Sequence, residues 1–184
     1  MNYPFLLKFS SVNNLSDARY AAGAWADFLG LNFNPTHEKY LEPAKAKEIL
    51  SWINGPLICG EFSNQPIEWI KDFIQAMGLK VIQIPATYPN QEVFDIEGMK
   101  YILEVEESSF DVNFRFADVF LTSDLAVYKE LKSKTNKPIL FETRDLEINA
   151  VEFDGISLLG EDEPQPGMRN HGEWTDFLEK WEED

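Results

Sequence analysis

The sequence predicts an α/β protein, a small single-domain (β/α)8 TIM barrel that spans residues 1–184. Three observations predict it: eight short β-rich runs recur along the chain, amphipathic segments separate most of them, and 184 residues suffice for one sizeable core but not for two ordinary domains. Strands that alternate with helices indicate a parallel sheet, and eight such units indicate a closed barrel. An open, doubly wound sheet remains the alternative.

Each β-rich run is bounded by turn residues and has the length of one barrel strand. In chain order the runs are FLLKFSSV, DFLGLNFN, PLICGEFS, KVIQIPAT, KYILEVEE, DVFLTSD, PILFETR and DGISLLG. The amphipathic segments, which we expect to cover the barrel as helices, are LSDARYAAGAW, EPAKAKEILSWI, PIEWIKDFIQAMG, LAVYKELKSK and GEWTDFLEKWEE.

The helices around strands 4–6 are predicted to be shortened. Between strands 4 and 5 the chain reads YPNQEVFDIEGM, and between strands 5 and 6 it reads SSFDVNFRFA, which leaves room for a turn or a short helix only. Apolar strand faces on this flank need cover. We expect it from the flank's own aromatic residues, Phe94, Phe110, Phe114 and Phe116, and the alternative is a second subunit, which makes a homodimer through the flank a possible assembly.

The acidic composition argues against two classes of partner. The chain has 32 acidic and 16 basic residues, a formal charge of −16, which repels the phosphates of nucleic acid and anionic lipid surfaces. No stretch has transmembrane length and the N-terminus lacks a signal-peptide pattern. The single cysteine, Cys59, rules out an internal disulfide, is expected to be a buried packing thiol, and suits a reducing compartment. We therefore expect a cytoplasmic protein without nucleic-acid or membrane partners.

Residues 6–46, LLKFSSVNNLSDARYAAGAWADFLGLNFNPTHEKYLEPAKA, carry a recognisable pattern. Its members are Lys8, Asp17, Ala18, Ala21, Ala26, Asp27, Leu29, Gly30, Pro35, Tyr40, Pro43 and Ala46, which fall in register without a gap. The pattern resembles the N-terminal part of the phosphoribosylanthranilate isomerase family, the (β/α)8 barrels of the tryptophan pathway. The resemblance covers residues 5–86 and is weaker from there to the C-terminus.

The resemblance implies an Amadori rearrangement of a phosphoribosylated aromatic amine, in which a carboxylic acid protonates the ring oxygen and a thiolate removes a proton. The family's cysteine falls on Ser10, whose hydroxyl is too weak an acid to supply a base without an activating neighbour. The family's aspartate falls on Ser123, and Asp124 lies one residue further on. One residue at a strand end reverses the face a side chain uses, so Asp124 is expected to cap the following helix rather than to reach the barrel mouth.

The loops that hold phosphate in such barrels also differ. Where the family has Gly-Gly after strand 7 and Ser-Gly after strand 8, this chain has FETRD and LLGED. Glu142 places negative charge near a bound phosphate, Arg144 compensates in part, and Gly160 keeps one glycine. The family's substrate-clamping arginine is matched by Lys39, which keeps the charge without the bidentate geometry.

Base, acid, phosphate loops and clamp therefore all differ from the family pattern. On this ground we expect a divergent barrel that lacks the isomerase activity and serves as a scaffold binding a small molecule or a partner protein. The alternative is an active phosphoribosylanthranilate isomerase, or a related sugar-phosphate isomerase, that uses substituted catalytic groups.

Polar residues remain at the predicted mouth and define a candidate site for a small polar ligand. They are Lys8, Asn32, Lys39, Glu61, Gln83, Glu142, Arg144 and Gly160. Lys8 shares its strand parity with the inward-facing acids of LEVEE, so we expect it to pair with Glu104 or Glu106 inside the barrel. No ligand spacing supports a metal site and no Gly-rich loop supports a nucleotide cofactor, so neither is expected.

Overall fold

The computed structural model of the chain describes residues 3–107, 112–162, 165 and 167–182. Eight parallel strands pair in sequence order, and the first also pairs with the last, which closes the barrel. The strands are β1 (Leu6–Ser10), β2 (Phe28–Asn32), β3 (Leu57–Glu61), β4 (Val81–Pro85), β5 (Lys100–Glu104), β6 (Val119–Thr122), β7 (Ile139–Thr143) and β8 (Gly155–Leu159). The predicted (β/α)8 barrel is confirmed, and the open sheet is not formed.

Helices cover the barrel where the amphipathic segments predict them. Within the described residues they are α1 (Leu15–Gly23), α2 (Pro43–Leu50), α3 (Ile67–Met77), α4 (Leu125–Lys134) and α5 (Gly172–Glu179). Local chemistry sets their ends. The Asn14 side chain accepts a hydrogen bond from the Asp17 backbone N–H and begins α1, and Gly78, with φ of 63°, ends α3 in the left-handed conformation that favours glycine. None of the described helices has the length and apolarity needed to cross a membrane.

The shortened helices around strands 4–6 are also confirmed. After β4 and β5 the connections contain only the 3₁₀ turns Gln91–Asp95 and Val112–Phe116. A third 3₁₀ turn, Ala150–Glu152, lies in the connection from β7 to β8, where the sequence predicts no element. These short connections explain how an eight-stranded barrel closes within 184 residues.

Aromatic side chains pack on one another along the thinly covered flank. Phe94 stacks on Phe116 with ring centroids 4.3 Å apart and meets Tyr101 edge-on. Phe114 packs on Phe120 at 4.7 Å. Phe110 lies outside the described residues. The described aromatic residues of this flank thus pack on one another, as expected, and the subunit contact stays a prediction.

The alternation of side chains along the strands divides the barrel into two environments. Outward residues join the core beneath the helices. Inward residues of β1 to β7 form an apolar plug of Leu6, Phe28, Cys59, Val81, Ile102, Val119, Leu121 and Leu140. Two residues further along five of these strands, the inward positions carry Lys8, Glu61, Gln83, Glu104 and Glu142. The interior of the barrel is therefore polar at the carboxyl ends of the strands and apolar below them, where the apolar plug lies.

Candidate active site

A buried ion pair lies at the centre of the polar layer. Lys8 is fully buried, and its Nζ donates to Glu61 Oε1 at 2.6 Å. Burial opposes the charged form of Lys8, but the neighbouring groups, Glu61 foremost and then Cys59 and Glu142, together outweigh it, so the pKa of Lys8 is raised and the side chain remains an ammonium. The other oxygen of Glu61 accepts hydrogen bonds from the backbone N–H and the hydroxyl of Ser11. The predicted pairing of Lys8 with Glu104 or Glu106 is wrong, because Glu61 on β3 lies within reach.

Gly30 on β2 makes room for this pair. A Cβ at this position would lie 1.9 Å from Glu61 Oε1 and 3.0 Å from Lys8 Nζ. Any larger residue would push the two charged groups apart inside the barrel. Gly30 is thus part of the site, although its side chain supplies no chemistry.

Hydroxyl groups connect the lysine to a second carboxylate. Lys8 Nζ donates to Ser10 Oγ, and Ser10 Oγ lies 2.7 Å from Ser157 Oγ. Ser157 Oγ in turn donates to Glu142 Oε1 at 3.3 Å. Burial raises the pKa of Glu142, while Lys8 and Ser10 oppose that rise. Ser10 therefore helps to hold Glu142 rather than standing alone as a weak nucleophile.

Glu104 on β5 is the third carboxylate of the polar layer. Burial and the neighbouring Glu142 raise the pKa of Glu104 to about 7. Gln83 Nε2 donates to Glu104 Oε2 at 3.2 Å, which opposes the rise. Near neutral pH this carboxyl group is therefore divided between its acid and base forms, the condition that general acid–base catalysis requires.

Cys59 takes no part in this chemistry. It lies fully buried in the apolar plug, two residues before Glu61, and burial raises the pKa of its thiol to about 12. A thiolate is not accessible at neutral pH under these conditions. The expectation of a packing thiol is confirmed.

Asp124 and Ser123 do not join the cluster. Asp124 Oδ1 accepts hydrogen bonds from the backbone N–H groups of Ala126 and Val127, so Asp124 is the N-cap of α4, as predicted. Ser123 is exposed at the end of β6. The family's acid position is thus left without a carboxyl group, and the carboxyl groups of the mouth come from other strands.

The loop after β8 is tied to the rest of the barrel by its own backbone. The N–H of Gly160 donates to Ser10 O at 2.7 Å, and that of Glu161 donates to Asp17 Oδ2 at 3.0 Å. A Cβ at Gly160 would lie 3.0 Å from Ser11 O, so close packing of two backbones explains the glycine. Both N–H groups are committed within the chain in this conformation.

Lys39 is also paired. Its side chain is nearly buried, and its Nζ lies 2.7 Å from Oδ1 of the exposed Asp162, which also accepts from Asn13 Nδ2 at 3.0 Å. The Lys39 hydrogen bond lowers the pKa of Asp162. An anionic ligand of Lys39 would therefore have to displace a carboxylate of the chain itself.

Two further predicted residues have local roles. Asn32 is buried at the end of β2, where its Oδ1 accepts from the Asn34 N–H and its Nδ2 approaches Ser11 Oγ at 3.4 Å. Arg144 is exposed and lies with Asp176 in a groove between the loop after β7 and α5. The structure thus brings together Lys8, Ser10, Glu61, Gln83 and Glu142 but leaves Arg144 outside.

Glu104 and Ser157 were missing from the predicted set of site residues. The sequence indicates Glu104 only as a partner for Lys8 and does not single out Ser157. The signal that could have found both is strand parity, since each stands two residues beyond an inward-facing residue of its strand. Their proximity to Glu142 depends on barrel closure, which sequence spacing does not give.

Comparisons with known proteins fall on a single family. An N-(5'-phosphoribosyl)anthranilate isomerase from Syntrophus aciditrophicus is 35% identical over 79 residues, which cover 42% of this chain and 34% of that protein. Another of the same name from Chlorobaculum parvum is 31% identical over 99 residues, covering 52% of this chain and 44% of that protein. The chain thus matches less than half of the length of either relative. No family model matches it.

Solved structures of the same family share the whole fold. A phosphoribosyl anthranilate isomerase in complex with reduced 1-(o-carboxyphenylamino)-1-deoxyribulose 5-phosphate superposes with a TM-score of 0.75 at 19% identity, covering 95% of this chain and 97% of that one. The enzyme from Thermus thermophilus gives a TM-score of 0.76 at 17% identity, with 96% and 98% covered. At such identities the likeness shows the fold alone.

The fold and the cluster define a (β/α)8 barrel with ionisable groups at the carboxyl ends of its strands, where barrels of this class carry their sites. Within that class, the sequence similarity over part of the chain and the shared fold both make the chain similar to the phosphoribosylanthranilate isomerase family.

The expectation of a scaffold without isomerase activity is wrong in the light of these comparisons. The two curated relatives carry the isomerase name, and the fold matches the isomerases over nearly the whole chain. The expectation compared only the positions of the family's own catalytic groups. It treated Glu142 only as part of a ligand site and Glu104 only as a partner for Lys8, although the barrel brings both carboxyl groups to the same mouth.

Proposed function

We propose that this barrel isomerises a phosphorylated N-glycoside of the kind named in its relatives, N-(5'-phosphoribosyl)anthranilate, with substituted catalytic groups. One observation carries the proposal: Glu104 and Glu142 are half-buried at the barrel mouth, and burial together with the neighbouring Glu142 raises the pKa of Glu104 to about 7. The names of the relatives support the choice of substrate.

The reaction needs an acid and a base on one substrate. Protonation of the ring oxygen opens the sugar to an iminium ion, and removal of the proton from the adjacent carbon gives an enolamine that becomes the ketone. Protons are returned, so no co-reactant is consumed. In the proposal the Glu104 carboxyl group is the acid and the Glu142 carboxylate, beside the Lys8 ammonium, is the base.

Neighbouring groups prepare this pair for opposite roles. Two carboxyl groups in one low-dielectric site resist simultaneous ionisation, which keeps a proton on one of them. Lys8 favours the charged form of Glu142 more directly, and the Gln83 amide orients Glu104. The buried Glu61 fixes Lys8 and has no free role in proton transfer.

The expected partner of the protein is accordingly a small phosphorylated molecule. A homodimer through the flank of strands 4–6 remains a possible assembly, and one relative of known structure, from Thermotoga maritima, is described as dimeric. We also infer a cytoplasmic setting, supported by the unpaired, buried Cys59, which suits a reducing compartment.

The decay of anthranilate fluorescence on adding freshly made N-(5'-phosphoribosyl)anthranilate tests the function. We expect turnover by the native protein and a loss of about 100-fold or more in kcat for Glu104→Gln and for Glu142→Gln. Glu48→Gln, which removes one exposed carboxylate on α2, is the control and should retain the native rate. Circular dichroism checks that each variant is folded.

Two results would overturn the proposal. The first is the absence of turnover by the folded native protein. The second is turnover that survives both Gln substitutions unchanged, because the proton transfers would then belong to other groups. Ser10→Cys, which places the family's residue on β1, measures whether a thiol at this position adds to the carboxyl pair.

A further inference from the structure

The residue that follows β1 adopts a conformation that serine rarely takes. Ser11 has φ of 51°, in the left-handed region that favours glycine, and the residue is buried. A side chain in this region costs free energy that a glycine would not. Strain of this kind concentrates at functional sites and persists only where the surrounding structure imposes it. The contacts of Ser11 therefore indicate what the strained residue does.

The neighbouring backbone imposes the conformation of Ser11. On its two sides, the carbonyl oxygen of Ser10 accepts from the Gly160 N–H at 2.7 Å, and the Val12 N–H donates to Gly30 O at 2.9 Å. Ser11 O itself lies only 3.0 Å from the place that a Cβ on Gly160 would take. The turn after β1 is thus fixed between the end of β8 and β2.

The strained turn directs two donors at one carboxylate oxygen. The backbone N–H of Ser11 donates to Glu61 Oε2 at 3.0 Å, and its hydroxyl donates to the same oxygen at 2.8 Å. Asn32 Nδ2 approaches Ser11 Oγ at 3.4 Å, so the hydroxyl accepts from Asn32 while its proton goes to Glu61. Hydrogen bonds to an ionised group are stronger than neutral ones, so this pair of bonds offsets the strain.

Glu61 is oriented between Ser11 and Lys8. Because Oε2 is bound twice to Ser11, the carboxylate cannot rotate without losing both bonds, and Oε1 faces Lys8 Nζ at 2.6 Å. Lys8 Nζ also donates to Ser10 Oγ, and its charge favours the ionised form of Glu142. The position of the Lys8 ammonium relative to Glu142 therefore depends on Ser11.

We propose that Ser11 is a positioning residue of the candidate active site: its strained backbone and its hydroxyl orient Glu61, which holds the Lys8 ammonium beside Glu142. Ser11 touches no reacting atom and acts through these side chains. The consequence for turnover rests on the proposed isomerase, in which Glu142 is the base. The arrangement itself can be measured in the resting protein.

Carbon-13 NMR titration of the Glu142 carboxyl group, assigned with Glu142→Gln, tests the proposal without turnover. Ser11→Ala removes the hydroxyl and keeps the strain, whereas Ser11→Gly removes both. In each variant Lys8 should be held less firmly near Glu142, so the pKa of Glu142 should rise by about 0.5 or more. Ser133→Ala removes an exposed hydroxyl on α4 and should leave this pKa unchanged. Circular dichroism checks that each variant is folded.

The ionisable groups that influence Glu142 are Lys8 on β1, Glu61 on β3 and Glu104 on β5, and all three are retained in these variants. In the fluorescence assay, both Ser11 variants should lose about three- to tenfold in kcat with KM unchanged, because the hydroxyl does not touch the substrate. The rising limb of the pH profile of kcat should move to higher pH with the pKa of Glu142.

The two proposals can fail separately. A native protein without turnover would overturn the isomerase, while a raised pKa of Glu142 in both Ser11 variants would still support the positioning role. An unchanged or lowered pKa of Glu142 in Ser11→Ala and Ser11→Gly would overturn the positioning role, whatever the turnover.

Discussion

The pair of Lys8 and Glu61 shows how one residue governs another inside this barrel. Neither charge reaches water, and each is held by the other at 2.6 Å. A buried pair adds little net stability by comparison with apolar residues, but removing one partner leaves an uncompensated charge. The value of the pair therefore lies in keeping an ammonium beside Glu142 and Ser10.

Glu61→Gln should lower the free energy of unfolding by about 3–5 kcal/mol, because Lys8 stays buried without its carboxylate. The double variant Lys8→Met, Glu61→Gln should recover much of that loss. Urea denaturation measures both. Glu68→Gln, in the exposed pair of Lys71 and Glu68, is the control and should lower the free energy of unfolding by less than about 1 kcal/mol. A loss no larger than this in Glu61→Gln would contradict the prediction that Lys8 depends on its buried carboxylate partner.

The ends of helices and strands determine where the ionisable side chains of the barrel mouth lie. The helix α4 begins shortly after β6 ends. The backbone N–H groups of its first turn donate hydrogen bonds to the Asp124 carboxylate, which lies one residue beyond the position of the family's acid. The loop after β8 carries Asp162 across the mouth to Lys39. Cap and loop thus decide which ionisable side chains a ligand meets.

Asp124→Ala should cost about 1 kcal/mol of stability through loss of the N-cap and leave kcat within about twofold of native. Asp124→Asn keeps a capping oxygen and should restore most of that stability. Thermal unfolding and the fluorescence assay measure the two effects. A fall of kcat in Asp124→Asn as large as that in Glu104→Gln would show that Asp124 takes part in catalysis.

Asp162→Asn should lower KM for an anionic substrate by about two- to fivefold with kcat unchanged, because it frees Lys39 from an exposed ion pair of modest strength. Asp176→Asn, an exposed position on α5, removes the same charge away from Lys39 and should leave KM as it is. A higher KM in Asp162→Asn would show instead that Asp162 organises the site.

The polar layer at the carboxyl end of the barrel affects the stability of the whole molecule. The apolar plug and the core beneath the helices surround a layer with three carboxylates, Glu61, Glu104 and Glu142, around one buried lysine. Such a layer is tolerated because the remainder of the barrel is well buried. Stability should therefore depend on the protonation of the layer.

Glu104 sets the sign of that dependence. Its pKa is about 7 in the folded protein against an ordinary value of 4.5, so the folded state binds the proton more tightly. The free energy of unfolding should fall as pH rises from about 4.5 to about 7, by at most about 3 kcal/mol, because the stabilising contribution is fully present below about pH 4.5 and is lost as the pH rises through about 7.

Glu104→Gln should therefore be more stable than the native protein at about pH 8 and close to it at about pH 4.5. Urea denaturation at several pH values measures the difference. Glu97→Gln, at an exposed position, should show no such trend. A Glu104→Gln difference that does not change with pH would refute the raised pKa.

The sequence by itself determined the barrel, its strand count and the two thin connections after β4 and β5, because hydrophobic periodicity and segment length are local properties. It also identified Asp124 as a helix cap and Cys59 as a packing thiol, since capping and burial follow from neighbouring residues. The prediction from sequence that isomerase activity is lost was wrong, because it compared each position only with the family's own catalytic residues.

Only the tertiary structure decided which charged groups meet. Glu61 rather than Glu104 reaches Lys8, because β3 presents its carboxylate across the space that Gly30 leaves open. Glu104 comes under the influence of Glu142 through barrel closure, and its pKa rises because of its own burial and the nearby Glu142. Electrostatic interaction depends on distance and burial in space, and neither is encoded in the spacing of residues along a chain.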